Sequence, residues 1–518
     1  MKPERYRQRF GEQVRDGALA AAAATLDSWL ARAPQAFEPR LHRIQLNLLS
    51  GAYQRAHDAA GGLMSQSDCP PELALETTGC LKAFALHDTL VAWAQRYPWR
   101  HKIRAQDLAH IAVNLSAVNA HQLALEWADS GVAKAPTDPV CLVNRALILT
   151  YLGQFDRARA DLGQVIAGSP HSAMAYWILA RLDRQTEDSN HVAAIRQALA
   201  APELAASERA FLGYALFKEL DDLGDHAGAW ASLQTGSKAA RVGRPYSRAT
   251  QELLFAAIKR AFDAGIANNA VGGDEDPVPI FILGMHRSGT SLIERMLGAD
   301  PEVCDLGETE RFSVALQYAA DLHCEQTPDV SLVARSARID YGLVRKVFNE
   351  SARMQTQGRR FVTEKTPGNF LNIGFIAQTF PHAKILHLRR DPLDLCFANY
   401  REHFGAQVTH TYALEDLIHF HGLYRDLMRH WHDRYPGFIL DIDYEQLVRE
   451  PEAESRRVFD FCGLRWQASV VDVTRRVADP VSTLSSVQVR QAINTASIGR
   501  WRPYAQWLGA LTEAFPAG

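Results

Sequence analysis

Nowhere in this chain of 518 residues do about 18 apolar residues follow one another, the length a helix needs to cross a bilayer. The Ala-rich run from Leu19 to Leu26 is far shorter and has charges on both sides, and the N-terminal stretch has no apolar core of a signal peptide. The expected setting is the cytoplasm, with no membrane partner. An excess of one charge is missing too. Lys and Arg number 56 against 59 Asp and Glu, a net charge of −3, which excludes a strongly basic nucleic-acid coat and a polyacidic tail. With 33 Gly and 23 Pro, the chain is neither collagen-like nor low-complexity. Its seven cysteines are scattered and never stand as C-x-x-C, so neither a disulfide framework nor a zinc site is expected, and a reducing compartment is. What is present is ordinary globular material, 47% hydrophobic and 22% charged, with room for two to four domains.

Residues 1–265 are rich in Ala, Leu and other helix formers and show no alternating strand pattern. A repeat runs through them. Gly153, Phe155 and Ala158 have counterparts 34 residues earlier in Asn119, His121 and Ala124. Two further steps of 34 reach Ala85, His87 and Leu90, then Gly51, Tyr53 and Ala56. Pro136 and Pro170 keep the same step and close units. Near Glu187 the pattern degenerates, and a last unit around Gly224, His226 and Ala229 is displaced by three residues. This pattern resembles the tetratricopeptide repeat, a pair of antiparallel helices per unit, and so implies an all-α solenoid. Such arrays present a concave surface suited to docking a protein, peptide or polymer. His87, His121 and His226 stand at the repeat's aromatic position, which makes them packing residues rather than metal ligands.

Residues 266–278 lie in a run dense in Gly, Asn, Asp and Pro, a linker by its helix and strand breakers. Beyond it, 279–518 forms a second domain. Ile280–Leu283 reads as a buried strand, followed by Gly284-Met-His-Arg-Ser-Gly-Thr-Ser291 and an amphipathic helix. Strand, glycine loop and helix aim backbone N–H groups at an anion. The loop fits G-x-x-x-x-G-x-[ST], but Thr290 replaces the lysine a nucleotide kinase needs, and no later Asp recommends itself as a magnesium ligand. Arg287 supplies positive charge inside the loop instead, and a guanidinium can hold two phosphate oxygens at once.

The segment from Pro279 to Val303 is similar to the 5′-phosphosulfate loop of sulfotransferases, closest to the tyrosylprotein and tetratricopeptide-repeat branches. The resemblance extends over about residues 278–512. It implies a P-loop-like α/β domain with a mainly parallel sheet. It also implies transfer of a sulfuryl group from 3′-phosphoadenosine 5′-phosphosulfate, without a metal, to an acceptor hydroxyl.

By the same resemblance Arg287, Ser288, Gly289, Thr290 and Ser291 bind the donor's 5′ end, and Glu308 is the base that takes the acceptor's proton. Lys365, at the tip of the strand reading Phe361–Glu364, stabilises charge on the bridging oxygen, a task that requires a fixed cation. After the apolar run Lys384–Leu388, Arg390 stands immediately before Asp391 and takes the 3′-phosphate. Tyr444 follows the strand Phe438–Ile442 beside the adenosine. Ser485 and Arg500 complete the donor site, and Ser485 joins Arg287, Glu308 and Lys365 among the catalytic groups. Two positions depart from the family. Ala398 stands where a Ser is usual, and Glu402 where an Arg is usual, with Asn399 and Arg401 as neighbouring replacements. Trp501 and Tyr504 read as packing residues. The expected function is therefore sulfuryl transfer to a protein, peptide or saccharide hydroxyl, a tyrosine among the candidates, with the repeats docking the acceptor. The competing reading is a repeat scaffold whose sulfotransferase domain still grips nucleotide but turns over weakly.

Overall fold

The computed structural model describes residues 2–66, 69–243, 245–263, 277–405, 408–476, 480–481 and 486–516. Of the expected linker, only Pro277 and Val278 fall within these. Two compact units form: Met1–Lys134 with Thr309–Gln357, and Ala135–Glu308 with Gly358–Gly518. Among the described residues, no helix is long and apolar enough to cross a membrane.

In the first unit, helices come in pairs: Pro3–Arg15 with Leu19–Arg32, Phe37–Leu49 with Tyr53–Gln66, Ala74–Ala83 with His87–Arg96, and Ala105–Ala117 with His121–Lys134. The joint of each pair holds one left-handed residue, Gly17, Gly51, Ala85 and Asn119, with φ of 69°, 72°, 51° and 64°. A left-handed residue stops one helix and lets the chain reverse into the next. The recurrence at 34 residues is therefore the recurrence of a turn, and it begins one unit earlier than the sequence pattern suggested. Ala85 adopts this conformation despite its Cβ, at a cost of about 1–2 kcal/mol, so packing of the two helices decides there. Tyr6, Phe10, Leu26 and Trp29 close the core of the first pair. The helices Arg311–Ala320 and Tyr341–Thr356 belong to the same unit.

The second unit continues the pairs with Pro139–Tyr151 and Phe155–Gly168, joined at Gly153 (φ 73°). Next come Ala173–Leu182 with Val192–Leu199, and Ala206–Asp222 with His226–Arg241. The connection after Leu182 holds no left-handed residue, which is why the pattern fades near Glu187. The displaced last unit is held by close approach: a Cβ on Gly213 would stand 2.5 Å from Gly236 Cα. The N-terminal half is thus all-helical and repeat-like.

Five parallel strands make the sheet of this unit: β1 (Val278–Leu283), β2 (Val303–Asp305), β3 (Phe361–Glu364), β4 (Lys384–Arg389) and β5 (Ile439–Asp443). Their order is β2-β3-β1-β4-β5, with Ile280 opposite Thr363 and Ile282 opposite Leu386. A parallel sheet is covered on both faces, so β1 reads as a continuous apolar run and β4 as an apolar stretch interrupted by His387. Ile280, Ile282, Leu386, Leu388, Ile442 and Phe459 join one buried cluster. The connection after β1 runs to the β2–β3 side, and the connection after β3 crosses β1 to β4 on the other side. The crevice at the strands' carboxyl ends is where such folds bind ligands.

Candidate functional site

The loop after β1 turns through Gly284 (φ 146°), Arg287 (φ 66°) and Gly289 (φ 108°) before the helix Thr290–Leu297 begins. Two glycines are required by space as well as by φ. A Cβ on Gly284 would stand 2.6 Å from Leu388 O, and one on Gly289 2.6 Å from the Tyr444 ring. The loop is thus pressed between the ends of β4 and β5. Asn399 Nδ2 donates to His286 O at 2.7 Å, and Arg390 Nη1 donates to Arg287 O at 2.9 Å. Both bonds hold the loop open toward a cleft of about 460 Å³.

Lining this cleft are Arg287, Gly289, Thr290, Ser291, Glu308, Arg390, Tyr444 and Arg500, eight of the residues singled out from the sequence. Ala398, Arg401 and Gln488 line it too. Ser288 is fully buried beneath the loop, its Oγ without a hydrogen-bond partner. Ser485 lies outside the described residues.

Arg390 is the hinge of the cationic side. Its second nitrogen donates to Ser497 O at 2.6 Å, and its guanidinium lies 4.8 Å from the centre of the Tyr444 ring. Arg390 Nε is buried without a hydrogen-bond partner, and so is Arg401 Nη1, which lies 3.8 Å from Asp221. Of the two, Arg390 Nε has no carboxylate beside it and is the donor in this cleft that calls for an acceptor. Arg401 thus brings a guanidinium to the cleft beside the position where the family's Arg is replaced by Glu402. Asn399, offered as a replacement for the missing Ser hydroxyl, donates its amide to His286 O and Leu395 O. Arg500 is held by Asp221, whose Oδ2 accepts from Arg500 Nη2 at 2.9 Å.

Around Arg287 the charges alternate. Its Nη2 donates to Gln488 Oε1 at 2.8 Å and lies 3.7 Å from Glu402, which is paired with Arg181. Burial brings the Arg287 guanidinium down to about 10, with Glu402 opposing the fall. Burial also penalises the Glu402 carboxylate, yet Arg181, Arg287 and Arg401 hold it below the usual range. Both groups are therefore ionised at neutral pH.

At the end of β3, Lys365 is 0% exposed and its ammonium meets Glu308, with Glu294 Oε2 at 3.6 Å. Burial works against the charged lysine, but Glu308 and Glu294 outweigh it and raise its pKa. Glu308 keeps 41% of its side chain exposed and lines the cleft, so it can reach a proton there. Glu294 is different. Burial, reinforced by Asp305, pushes its carboxyl well above the usual range, with Lys365 opposing. Sequence reading missed Glu294, because a Glu one turn into a helix looks like an ordinary surface residue. It also missed Arg181 and Gln488, which are more than 100 residues from the loop in the chain.

Trp501 and Tyr504 were expected in packing roles; Tyr504 is fully buried and donates to Asp221 Oδ1 at 2.6 Å. His87 and His121 are buried at the starts of their helices. Among the described residues one group could hold a metal ion: His387, His432 and Asp441, none of which lines the cleft. Asp441 Oδ1 is hydrogen-bonded by His387 Nδ1 at 2.7 Å and by His432 Nε2 at 3.0 Å, and Arg389 lies 3.0 Å from Oδ2. That carboxylate is already saturated by cationic and N–H partners.

A glycine loop, convergent arginines and a carboxylate–lysine pair thus meet at the carboxyl ends of a parallel sheet. Residues 279–468 match the family described as "Sulfotransferase family". The chain carries a sulfotransferase-family domain, homologous to protein-tyrosine sulfotransferases. An uncharacterized protein of Aquifex aeolicus is 29% identical over 384 residues, 72% of this chain and 49% of that protein. Protein-tyrosine sulfotransferase 2 of Gallus gallus is 24% identical, covering 43% of this chain and 62% of its own. The chain thus spans about half to three fifths of these curated relatives. The sulfotransferase domain of the Synechococcus PCC 7002 olefin synthase matches 48% of this chain and 98% of its own at 20% identity, with a TM-score of 0.31.

Proposed function

We propose that this protein transfers a sulfuryl group from 3′-phosphoadenosine 5′-phosphosulfate to an acceptor hydroxyl. One observation carries the reading: Arg287, Thr290, Ser291, Arg390, Tyr444 and Arg500 converge with Glu308 on a single cleft. Its volume of about 460 Å³ is that of a nucleotide-sized site. The loop amides and Arg287 receive the donor's 5′ end, and Arg390 with Arg401 receives the 3′-phosphate. Tyr444, stacked beneath Arg390, borders the nucleoside.

In the step itself Glu308 accepts the acceptor's proton as its oxygen bonds to sulfur. The bond from sulfur to the bridging oxygen breaks, and that oxygen leaves with the electron pair on the 5′-phosphate. Arg287, Lys365 and the loop amides stabilise the growing charge, so the needed cations come from the chain itself. Lys365 stands directly against Glu308, so the stabilising cation and the proposed base share the end of β3. Ser485 is proposed as a further contact to the donor.

Residues 1–265 are read as tetratricopeptide repeats and 279–518 as the sulfotransferase domain. The names of the animal relatives favour a protein or peptide tyrosine as acceptor. The seven cysteines are unpaired, in keeping with a reducing, cytoplasmic setting.

The test is stabilisation by 3′,5′-adenosine bisphosphate in a thermal-shift assay, then radiolabel transfer from donor to a bacterial lysate by wild type and Glu308→Ala. The expected result is stabilisation of both proteins and transfer by the first alone. Stabilisation without any transfer would leave the scaffold reading, and no stabilisation would remove the donor site altogether.

A further inference from the structure

The helix Pro139–Tyr151 leaves its last carbonyls to be met by the turn that follows it. The amides of Leu152, Gln154 and Gly153 donate to Ile148 O, Leu149 O and Thr150 O in turn. Tyr151 O is met from outside the repeat: Arg490 Nη2 donates to it at 2.6 Å and Val481 N at 3.0 Å. The guanidinium fits because the joint is a glycine, since a Cβ on Gly153 would stand 3.0 Å from Arg490 Nε. The centre of the Phe155 ring lies 5.9 Å from the same guanidinium. A cation at this end of a helix also faces the negative pole of its dipole. Gly153 and Phe155, which mark the repeat in the sequence, therefore also build a socket for an arginine of the sulfotransferase domain. Arg490 fills that socket and is buried there. Its Nη1 donates to Ser486 O at 2.5 Å, which closes the segment 486–490 on itself.

Two residues before Arg490, Gln488 carries this anchor to the donor cleft. Its Oε1 accepts from Arg287 Nη2 at 2.8 Å, and Glu402 Oε1 stands 3.7 Å from the same nitrogen. Arg181, on the helix Ala173–Leu182, holds Glu402 at 2.5 Å. Tyr151, Arg181, Glu402 and Gln488 also line a second cavity of about 460 Å³ beside the cleft. Arg287 Nη2 thus stands between two rival acceptors, a neutral amide close by and a carboxylate further off. A hydrogen bond to an ionised acceptor is roughly twice as strong as one to a neutral acceptor. The guanidinium stays with the amide only while Gln488 is held in place. We propose that Arg490 is a positioning residue: seated in the repeat turn, it fixes Gln488, and Gln488 keeps Arg287 facing the cleft instead of closing on Glu402. The inference rests on the sulfuryl-transfer reading, which gives Arg287 the donor's 5′ end, and adds that a repeat turn helps present that arginine. The turn Tyr151–Phe155 then acts on the donor without touching it.

Calorimetry on the full-length protein with two nucleotides tests this. 3′,5′-Adenosine bisphosphate has a 5′-phosphate for Arg287, and adenosine 3′-monophosphate lacks it. Arg490→Ala should raise the Kd for the first at least 10-fold and for the second less than 2-fold, and Gln488→Ala should do the same. In an Arg287→Ala background, Arg490→Ala should add less than 2-fold, because its effect passes through the arginine already removed. A residue that merely supports the fold would weaken both nucleotides alike and would add its loss in either background. Equal losses for the two nucleotides, losses that add in the Arg287→Ala background, or a bisphosphate Kd within 2-fold of wild type would overturn the proposal. A wild type that binds neither nucleotide refutes the underlying donor reading, and this inference with it. If Arg490→Ala shows no cooperative melting and so has not folded, Gln488→Ala, at an exposed position, carries the same expectations.

Discussion

Asn399 Nδ2 donates to His286 O at 2.7 Å, tying the helix after β4 to the loop after β1. The residue before it, Ala398, lacks the hydroxyl that the family resemblance expects. Beside that position the chain has placed a clamp on the loop. Asn399→Ala removes the clamp and leaves the His286 carbonyl unmet, a loss of about 1–3 kcal/mol. The Kd for 3′,5′-adenosine bisphosphate should rise roughly 10-fold by calorimetry.

Arg390 separates two kinds of nucleotide affinity. If its unpartnered Nε faces a 3′-phosphate, Arg390→Ala should weaken 3′,5′-adenosine bisphosphate by about 10- to 100-fold, the range for a charged hydrogen bond. Adenosine 5′-monophosphate should lose much less. Equal losses for the two nucleotides would place the 3′-phosphate elsewhere.

For Glu308, the conservative variant is the informative one. Glu308→Gln keeps the shape and removes the base, so transfer should fall about 10²- to 10⁴-fold while nucleotide binding persists. Single-turnover transfer of label reads the first, and the melting shift with nucleotide reads the second.

Lys365 carries a structural burden as well. Lys365→Met leaves Glu308, itself 41% exposed, without its cation and should cost about 1 kcal/mol or less, seen as a slightly lowered Tm. Burial pushes the Glu294 carboxyl up, so adding Glu294→Gln to that variant should change the Tm little. A large recovery in the double variant would show that Glu294 is ionised.

His432 makes one contribution to stability depend on pH. Its hydrogen bond to Asp441 raises the imidazole, with partial burial opposing. A raised folded value means the contribution is complete below the unfolded pKa near 6.5 and is lost as pH climbs through the folded value. The Tm gap between wild type and His432→Gln should be widest below about pH 6 and shrink as pH rises from there. Burial lowers the neighbouring His387, so the matching His387→Gln comparison should show the opposite trend.

Much of this was local and therefore legible in the amino acids. The spacing of Gly51, Ala85, Asn119 and Gly153 marked the turns, because a turn that reverses a helix needs its left-handed residue at a set place in the chain. The apolar run before Gly284 and the small residues within the loop announced a strand leading into an anion-binding turn. Phe361–Glu364 matched its strand at both ends, and β5 began one residue later than its apolar run suggested, since strand ends follow pairing rather than hydrophobicity. The three-residue β2 carried too little pattern to be seen.

Tertiary structure alone decided which charges meet. Nothing in the chain order links Arg181 to Glu402, or Asp221 to Arg500. Nor does it reveal that Glu294 shares a buried site with Lys365. Periodicity and turn chemistry act over a few residues, and so one strand of letters determines them. The ionisation of Lys365 and the closing of a cavity between repeat helices and sheet arise from burial and from charges brought together across the fold, and only the folded chain creates those surroundings.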